Sequence, residues 1–431
     1  MNKDYIGPDK IIEKKKEYLI PCSYHFYSRP VQVVRGNMQY LYDSDGKRYI
    51  DFFAGVSVMN CGHCNPDILE KTIEQMRTLQ HTTTIYLTQP IVDLAEKLAQ
   101  ITPGNLKKTF FCGTGSEANE GALLLARLHT GKSEFISMYN GLHGRTHLTM
   151  SVTGLGMWRT DPNPAGGISF VPNPYCYRCP YKSSSEECSL ECVSQVENVI
   201  KKTSSGRIAA MIAEPIQGNG GIITPPQGYF KALKEVLEKY EILLIIDEVQ
   251  TGFARTGKMF AIEHYGIQPD IMTMAKALGN GVPIAAYTAT DEIASSFTRP
   301  SASTLGGNPV SAAAGLAVLE YIHKNDLCQR AEALGKKIKY GLLKLKEKYD
   351  IIGDVRGIGL MLGAELVKDG KEPAPKETDM ILEILKDKGI LIGKNGEYRN
   401  VLAFQPPLVV TGEDVEVLLY ELDKAFQAVK I

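Results

Sequence analysis

LLIIDEVQTGFARTGKMFAIEHYGIQPDIMTMAKALGNG, residues 243–281, decides how the rest of the 431-residue chain is read. An apolar run ends in Asp247 and is followed by Glu248, Val249 and Gln250. Past a polar loop, a second apolar stretch leads to Lys276 between Ala275 and Ala277. In an open α/β sheet the carboxyl ends of the strands line the ligand crevice, so Asp247 is expected there. A carboxylate at a strand tip and a lysine in a dry, small-residue turn are what a pyridinium cofactor bearing an aldehyde requires. The carboxylate keeps the ring nitrogen protonated, which makes the ring an electron sink. Desolvation lowers the pKa of the lysine toward a usable nucleophile that forms an imine and later carries protons. Pyridoxal phosphate is therefore the expected cofactor.

Working outward, the same short apolar runs recur at 109–112, 134–138, 207–213, 271–274 and 283–289, each followed by a loop or a helix. That alternation predicts an α/β fold with a mostly parallel sheet covered on both faces. Earlier, a charged helix is expected over 1–20, ended by Pro21. An antiparallel meander follows over 31–55, with turns at Arg35-Gly36-Asn37 and 43–46. Helices are expected from Pro66 to about 80, from 89 to about 101 and from Pro309 to about 323. The C-terminal part mixes strands and helices in the α+β manner, with a last helix from Glu413. The expected division is an N-terminal segment 1–65, a large domain 66–320 and a C-terminal small domain 321–431. Residues 182–187 read as an exposed loop.

With 44% apolar residues, 23% charged and a net charge of −1, the chain is an ordinary globular protein. No basic excess exists to neutralise phosphates, so neither nucleic acid nor an anionic membrane is an expected partner. The N-terminus is charged throughout without an apolar signal core, and no apolar run reaches the roughly 20 residues of a membrane helix. A cytoplasmic location is expected.

Further chemistry sits in GTGSEANEGALLLARL, directly after 109–112. Gly113 and Gly115 let the backbone approach an anion, and a helix with Ser116 as N-cap presents free N–H groups and a positive dipole end. The Gly-Lys-Ser/Thr ending of a nucleotide P-loop is missing. Nine cysteines, an odd number, do not make a disulfide scaffold. Four of them, Cys176-x2-Cys179-x8-Cys188-x3-Cys192, have spacing suited to a structural zinc, weighed against free thiols in a loop. Cys61-Gly-His-Cys64 reads as structural. His143 and His147, four apart, lack the pattern of a catalytic zinc site.

The stretches GVSVMNCGHCNP, GTGSEANE, HGRT, AEPIQGNGG, IIDEVQTGFARTGK, DIMTMAKALGNGVP, STLGGNP and RNVLAFQPPL, in this order, resemble the class III (ω) aminotransferases of fold type I. The resemblance covers nearly the whole chain. It implies a large domain plus a small α+β domain built from both terminal segments, and a homodimer, possibly a tetramer, with the active site at the subunit interface. By position, Lys276 would be the Schiff-base lysine, Asp247 the pyridinium partner and Gln250 the partner of the ring hydroxyl. Gly115 and Ser116 would hold the phosphate, helped by Thr304 of the partner subunit. Val249 would pack on one ring face. On the other face, where the family commonly has an aromatic residue, this chain has Leu142, followed by His143 near the cofactor.

Two further departures bear on the substrate. Asn219 stands where glutamate-handling members often carry a glutamate, and Ala403 where a carboxylate-binding arginine is usual. An ordinary α-amino acid in the usual pose is thereby disfavoured, because its buried carboxylate would lose a bidentate partner. Arg145 and Arg399 remain as substrate-binding residues. The ending resembles the branch of mitochondrial-type alanine-glyoxylate aminotransferases and ethanolamine-phosphate phospholyases. The expected reaction moves an amino group from a β- or ω-amino acid, or its CoA thioester such as 3-aminobutyryl-CoA, to 2-oxoglutarate, pyruvate or glyoxylate. A phospholyase acting on an amino-alcohol phosphate is the alternative, and a nucleotide-binding α/β protein with a zinc module a distant one.

Overall fold

The computed structural model describes residues 5–181 and 188–429; the loop expected over 182–187 lies outside them. Among the described residues the largest sheet has seven strands. In spatial order they are Lys108–Cys112, Ala285–Ala289, Ile271–Met274, Leu243–Asp247, Ile208–Ala213, Glu134–Met138 and Ile168–Val171. From Ile271–Met274 outward to Ile168–Val171 every pairing is parallel, while Ala285–Ala289 runs antiparallel to both of its neighbours. The mostly parallel α/β fold is as expected. Pro283 falls outside its strand, as suits a residue with no N–H to give the ladder. The edge strand Ile168–Val171 was not expected; it is four residues long and only Val171 is buried, too short a pattern to read.

Alternate strand residues supply two cores. Ala210, Ile212 and Ile245 face Ala122, Leu125 and Ala126 of the helix Gly115–Thr130. Met211, Ala213, Leu244 and Ile246 face the opposite layer, where Val193 and Val196 of Glu191–Lys202 meet Phe230 and Leu233 of Tyr229–Lys239. Burial on both faces explains why these strands read as unbroken apolar runs.

A four-stranded sheet joins the two ends of the chain. Val33–Asn37, Tyr40–Asp43 and Arg48–Asp51 form the meander, and Ile390–Leu391 pairs parallel with Arg48–Asp51. Its first turn is displaced from the expected place. Asn37 pairs with Tyr40, so the reversal falls at Met38, with φ 51°, and Gln39. Gly36 stays in the strand, where a Cβ would come within 2.7 Å of His63. The first helix, Pro8–Tyr18, buries nothing and stops before Leu19, which is extended. The third sheet is antiparallel, Ile352–Ile358, Met361–Leu366, Val401–Phe404 and Gly393–Asn395. Pro309–Lys324, with Asn308 as its cap, and Leu327–Lys348 bridge toward it.

The loop after Asp247 is fastened from inside. Glu248 has no exposed surface; its carboxylate accepts from Ile262 N at 2.8 Å and from the Thr251 hydroxyl. Arg255, also fully buried, donates to Leu360 O at 3.0 Å, to Pro406 O at 2.5 Å and to the Asn60 side chain, tying the loop to both terminal segments. Burial pushes the Glu248 carboxyl up to about 7 against its ordinary 4.5. Because the folded state holds this proton more tightly, the contribution of the group to stability is full below 4.5 and is lost as pH rises through about 7. Glu248→Gln removes that titration, so its Tm relative to wild type is expected to climb between pH 5 and pH 8; a difference that stays flat with pH would contradict the assignment.

Candidate active site

The carboxyl ends of Leu243–Asp247, Ile208–Ala213 and Ile271–Met274 open on a cavity of about 360 Å³. Asp247, Val249, Gln250, Lys276, Ser116 and Leu142 are among its lining. Asp247 is 3% exposed. Its Oδ2 accepts from His143 Nδ1 at 2.8 Å and from Asn119 Nδ2 at 2.8 Å, and its Oδ1 from Val249 N at 3.0 Å. Facing a carboxylate, His143 Nδ1 is the protonated ring nitrogen. Asn119 is locked in turn, with Nδ2 also on His143 O at 2.7 Å and Oδ1 accepting from Thr273 Oγ1 at 2.6 Å. Three donors thus surround this buried carboxylate.

Lys276 opens a short 3₁₀ turn with φ 45°, a left-handed backbone that turns the chain sharply out of the strand Ile271–Met274. Burial drives its amine below the ordinary lysine value, opposed by the attraction of Asp247 and Glu214. Glu214 was not singled out in the sequence. It follows Ile208–Ala213 as Asp247 closes the neighbouring strand, and that position after a wholly apolar run was the available signal. Its two oxygens accept from Leu142 N and Gly218 N, both at 2.9 Å. Burial, helped by the nearby Asp247 charge, raises its carboxyl well above the usual range.

The helix Gly115–Thr130 points its N-terminus at the same cavity, but its cap is Thr114 rather than Ser116. The Thr114 hydroxyl accepts from Glu117 N at 3.2 Å, because Thr114 is the last extended residue before the helix. Ser116 instead lies in the first turn, where its Oγ accepts from Arg145 N at 3.1 Å. A Cβ at Gly115 would come within 3.0 Å of Val249, so glycine lets this turn close on the loop after Asp247.

Opposite, the segment Ala54–Ser57 is a left-handed turn, with φ of 50°, 61°, 67° and 60°. Such backbone costs about 1–2 kcal/mol per non-glycine residue, and most of all at a β-branched one such as Val56. It is held by Asp51, whose Oδ1 accepts from Phe53 N and Ala54 N at 2.8 and 2.9 Å while Oδ2 meets His63 Nε2 at 2.7 Å. Ser57 Oγ and Gln250 Nε2 both donate to Gln405 Oε1, at 3.0 and 3.1 Å. The turn delivers Val58 to the cavity wall. Gln405 and most of this turn fall within the stretches RNVLAFQPPL and GVSVMNCGHCNP, but no local pattern marks their role.

Three expected residues are not brought into the cavity of the single chain. Arg145 is exposed, and Thr304 is exposed on a strap outside. Arg399 lies on the hairpin beyond Asn219 and does not line the cavity. The zinc expectation is corrected. Among the described residues no group of three or more His, Cys, Asp or Glu side chains is placed to hold a metal. Cys176 and Cys179 flank a short 3₁₀ turn while Cys192 sits in the helix Glu191–Lys202, and all four, with Cys188, are free thiols. Burial, with repulsion from the neighbouring thiols, raises the Cys176 thiol and pushes Cys192 up to about 11. His143 and His147 share no helix face; His147 begins the helix His147–Ser151 and pairs with Asp161 at 2.9 Å.

A held carboxylate, a desolvated lysine and a helix N-terminus around one cavity fit a pyridine ring with an aldehyde and a phosphate. Comparison with known proteins agrees. The family described as Aminotransferase class-III matches residues 24–426. An alanine–glyoxylate aminotransferase 2 homolog of Arabidopsis thaliana, named as mitochondrial, is 45% identical over 424 residues, 97% of this chain and 88% of the relative. A leucine/methionine racemase of Thermococcus litoralis is 39% identical over 430 residues, 98% of this chain and 96% of its own. The structure of the omega transaminase from Pseudomonas Jessenii in complex with PMP superposes with a TM-score of 0.90 at 30% identity, covering 97% of each chain. The nucleotide-binding alternative is set aside by the same matches. With its catalytic-type lysine and carboxylate in place across this shared fold, the chain belongs to the class-III aminotransferases, transaminases that work with pyridoxal phosphate.

Proposed function

We propose that the chain moves an amino group from a β- or ω-amino donor, as the free acid or as a CoA thioester, to a 2-oxo acid such as 2-oxoglutarate, pyruvate or glyoxylate. The observation that carries the donor class is Ala403. It is fully buried, clustered with Ile216, Ile222 and Met361, and Phe53 packs against the group. An α-carboxylate placed there would face an apolar wall, and a buried charge left without its partner costs about 3–5 kcal/mol.

Pyridoxal phosphate, when bound, supplies the electron sink for the pair released at the carbon that carries the amino group. The residues of the chain do the rest. Asp247, held by His143 and Asn119, would pair with the ring nitrogen and favour its protonated form. With the cofactor bound, Lys276 would hold its aldehyde carbon and, as the amine freed by the donor, would serve as the base that moves the proton between the donor carbon and the cofactor. Burial keeps its pKa below the ordinary lysine value, which favours the proton-accepting amine. Gly115 and Ser116 offer the first-turn N–H groups to the phosphate, where intrahelical partners are lacking. Val249 and Leu142 line the cavity where they would enclose the ring faces, and Gln250, whose Nε2 donates to Gln405 Oε1, would stand beside the ring hydroxyl.

The same reading makes the working unit a homodimer in which Thr304 of the partner subunit reaches the phosphate and Arg145 meets an anionic group of the substrate at the interface. Supporting it, Ile85, Tyr86 and Leu87 are 82%, 67% and 100% exposed, and Leu305 61%. Ile91, just beyond that run, contacts the strap at Gly307, so these apolar groups share one side of the chain.

Lys276→Ala is expected to lower turnover by roughly 10²- to 10⁴-fold or more and to abolish the borohydride-sensitive visible absorption of the purified enzyme; wild-type turnover in this variant would end the proposal. A screen of β-alanine, 4-aminobutyrate, 5-aminovalerate, 3-aminobutyryl-CoA and L-alanine with the three oxo acids should favour the β- and ω-amino donors over alanine. Preference for alanine overturns the donor class, and phosphate release from phosphoethanolamine or formation of D-amino acids without an oxo acid would point to a lyase or a racemase. Leu87→Asp, at a fully exposed site, is expected to shift the sedimentation of the protein from dimer toward monomer and to reduce activity with it; an unchanged dimer removes this surface from the interface.

A further inference from the structure

Arg399 stands in a setting that its fold does not explain. It ends the hairpin turn between Gly393–Asn395 and Val401–Phe404, with φ 58° and its N–H on Gly396 O at 3.0 Å. Two bonds tie the hairpin to the rim of the catalytic cavity: Gly396 N donates to Asn219 O at 2.9 Å, and Asn395 Nδ2 to Gly218 O at 3.0 Å. Asn219 itself lines the cavity. The guanidinium lies 5.5 Å from the Tyr24 ring centre and 5.0 Å from that of Phe26. Tyr24 continues to Trp158 at 6.4 Å, and Phe26 to Phe53 at 5.8 Å. Phe53 packs on the cluster that holds Ala403, so one run of aromatic rings leads from that buried apolar cluster to Arg399.

Arg399 Nη2 is buried and has no hydrogen-bond partner, and among the described residues no carboxylate pairs with the group. The neighbouring Lys394, which also lies over Phe26, differs in this respect, for it is paired with Asp379. An arginine fixed by two rings keeps its planar fork of donors available, and buried N–H groups are seldom left unused.

We propose that Arg399, on its shelf of Tyr24 and Phe26, is a specificity-determining anion site at the cavity rim that binds the oxyanion at the end of the donor remote from the reacting amine. This rests on the β- or ω-amino reading above. The oxyanion is shared by two sources, the carboxylate of a free ω-amino acid and a phosphate of a CoA thioester. The site takes over, from a different place in the sheet, the charge recognition for which Ala403 has no group. It thereby sets how far the anion must stand from the amine.

The test compares wild type with Arg399→Met and Arg399→Lys, as holoenzymes, in the first half-reaction under single turnover, so that no oxo acid takes part. Donors are 4-aminobutyrate and 5-aminovalerate, each against the n-alkylamine of the same chain length, and 3-aminobutyryl-CoA against its pantetheine thioester, which lacks the phosphates. Arg399→Met is expected to lower the selectivity for the anionic member of one set by roughly 10- to 100-fold, the range of a charge-assisted hydrogen bond, mainly through the concentration dependence. Arg399→Lys should restore part of it. The set that responds identifies the source of the oxyanion. Unchanged ratios in every set, or an equal fall for charged and uncharged donors, overturn the proposal. Should no β- or ω-amino donor react, calorimetric titration of the holoenzymes with unreactive glutarate and with coenzyme A still reads the site: weaker binding of either in Arg399→Met supports it, and unchanged binding of both overturns it. Matching Tm values for the three proteins separate this effect from misfolding.

Discussion

The buried carboxylate of Asp247 is the constraint on which the rest of the site depends. A carboxylate buried to that degree is tolerated only where donors surround it, and two of its three donors come from distant parts of the chain. Asn119 is on the first helix after Lys108–Cys112, His143 follows Glu134–Met138, and Val249 turns back beside the carboxylate. Asn119 is fixed in turn by Thr273, on the strand that leads to Lys276. The electrostatic field at the lysine is therefore built into the sheet rather than into a loop. Glu214 adds a second carboxyl at the same depth, and burial next to Asp247 keeps it from carrying a second full charge.

Around this core the two terminal segments act as a clamp. Arg255 joins the loop after Asp247 to Asn60, Leu360 and Pro406, and Gln405 collects Ser57 and Gln250 on one oxygen. The left-handed turn Ala54–Ser57 persists because Asp51 and His63 determine it from one side and Gln405 from the other. Strain held in this manner at a cavity wall is a mark of preorganisation.

Much of this was legible in the sequence, and the limits have physical reasons. The buried strands Leu243–Asp247 and Ile208–Ala213 announce themselves, since burial on both faces leaves an unbroken apolar run. So do Pro309 and Pro66, which cannot sit inside a helix and therefore mark a start. Asp247 and Lys276 were readable because each closes such a run. What could not be read are residues whose role depends on partners remote in sequence. Asn119 looks like one more polar position of an amphipathic helix until His143 and Asp247 are placed against it. Gln405 and the turn at Val56 carry no local pattern at all. The cap was misplaced by two residues because Thr114 and Ser116 are chemically equivalent as caps, and only the extended backbone of Thr114 separates them. The four cysteines had the spacing of a metal site, but spacing alone does not make a ligand set.

The parallel pairing of Ile390–Leu391 with Arg48–Asp51 has a consequence for how the protein comes into being. Phe52 N donates to Leu391 O at 2.7 Å, and Gln405 N to Phe52 O at 2.7 Å, contacts between segments nearly a whole chain length apart. During synthesis the first segment emerges long before its partners exist. The left-handed turn beside it lacks its Gln405 support through most of translation, and Arg255 lacks Pro406. The central sheet can assemble as its strands appear, whereas the cavity wall waits for the last strands of the chain. Loop closure over such separations is slow, so late assembly, rather than the sheet itself, sets when a nascent chain first becomes competent to retain its cofactor.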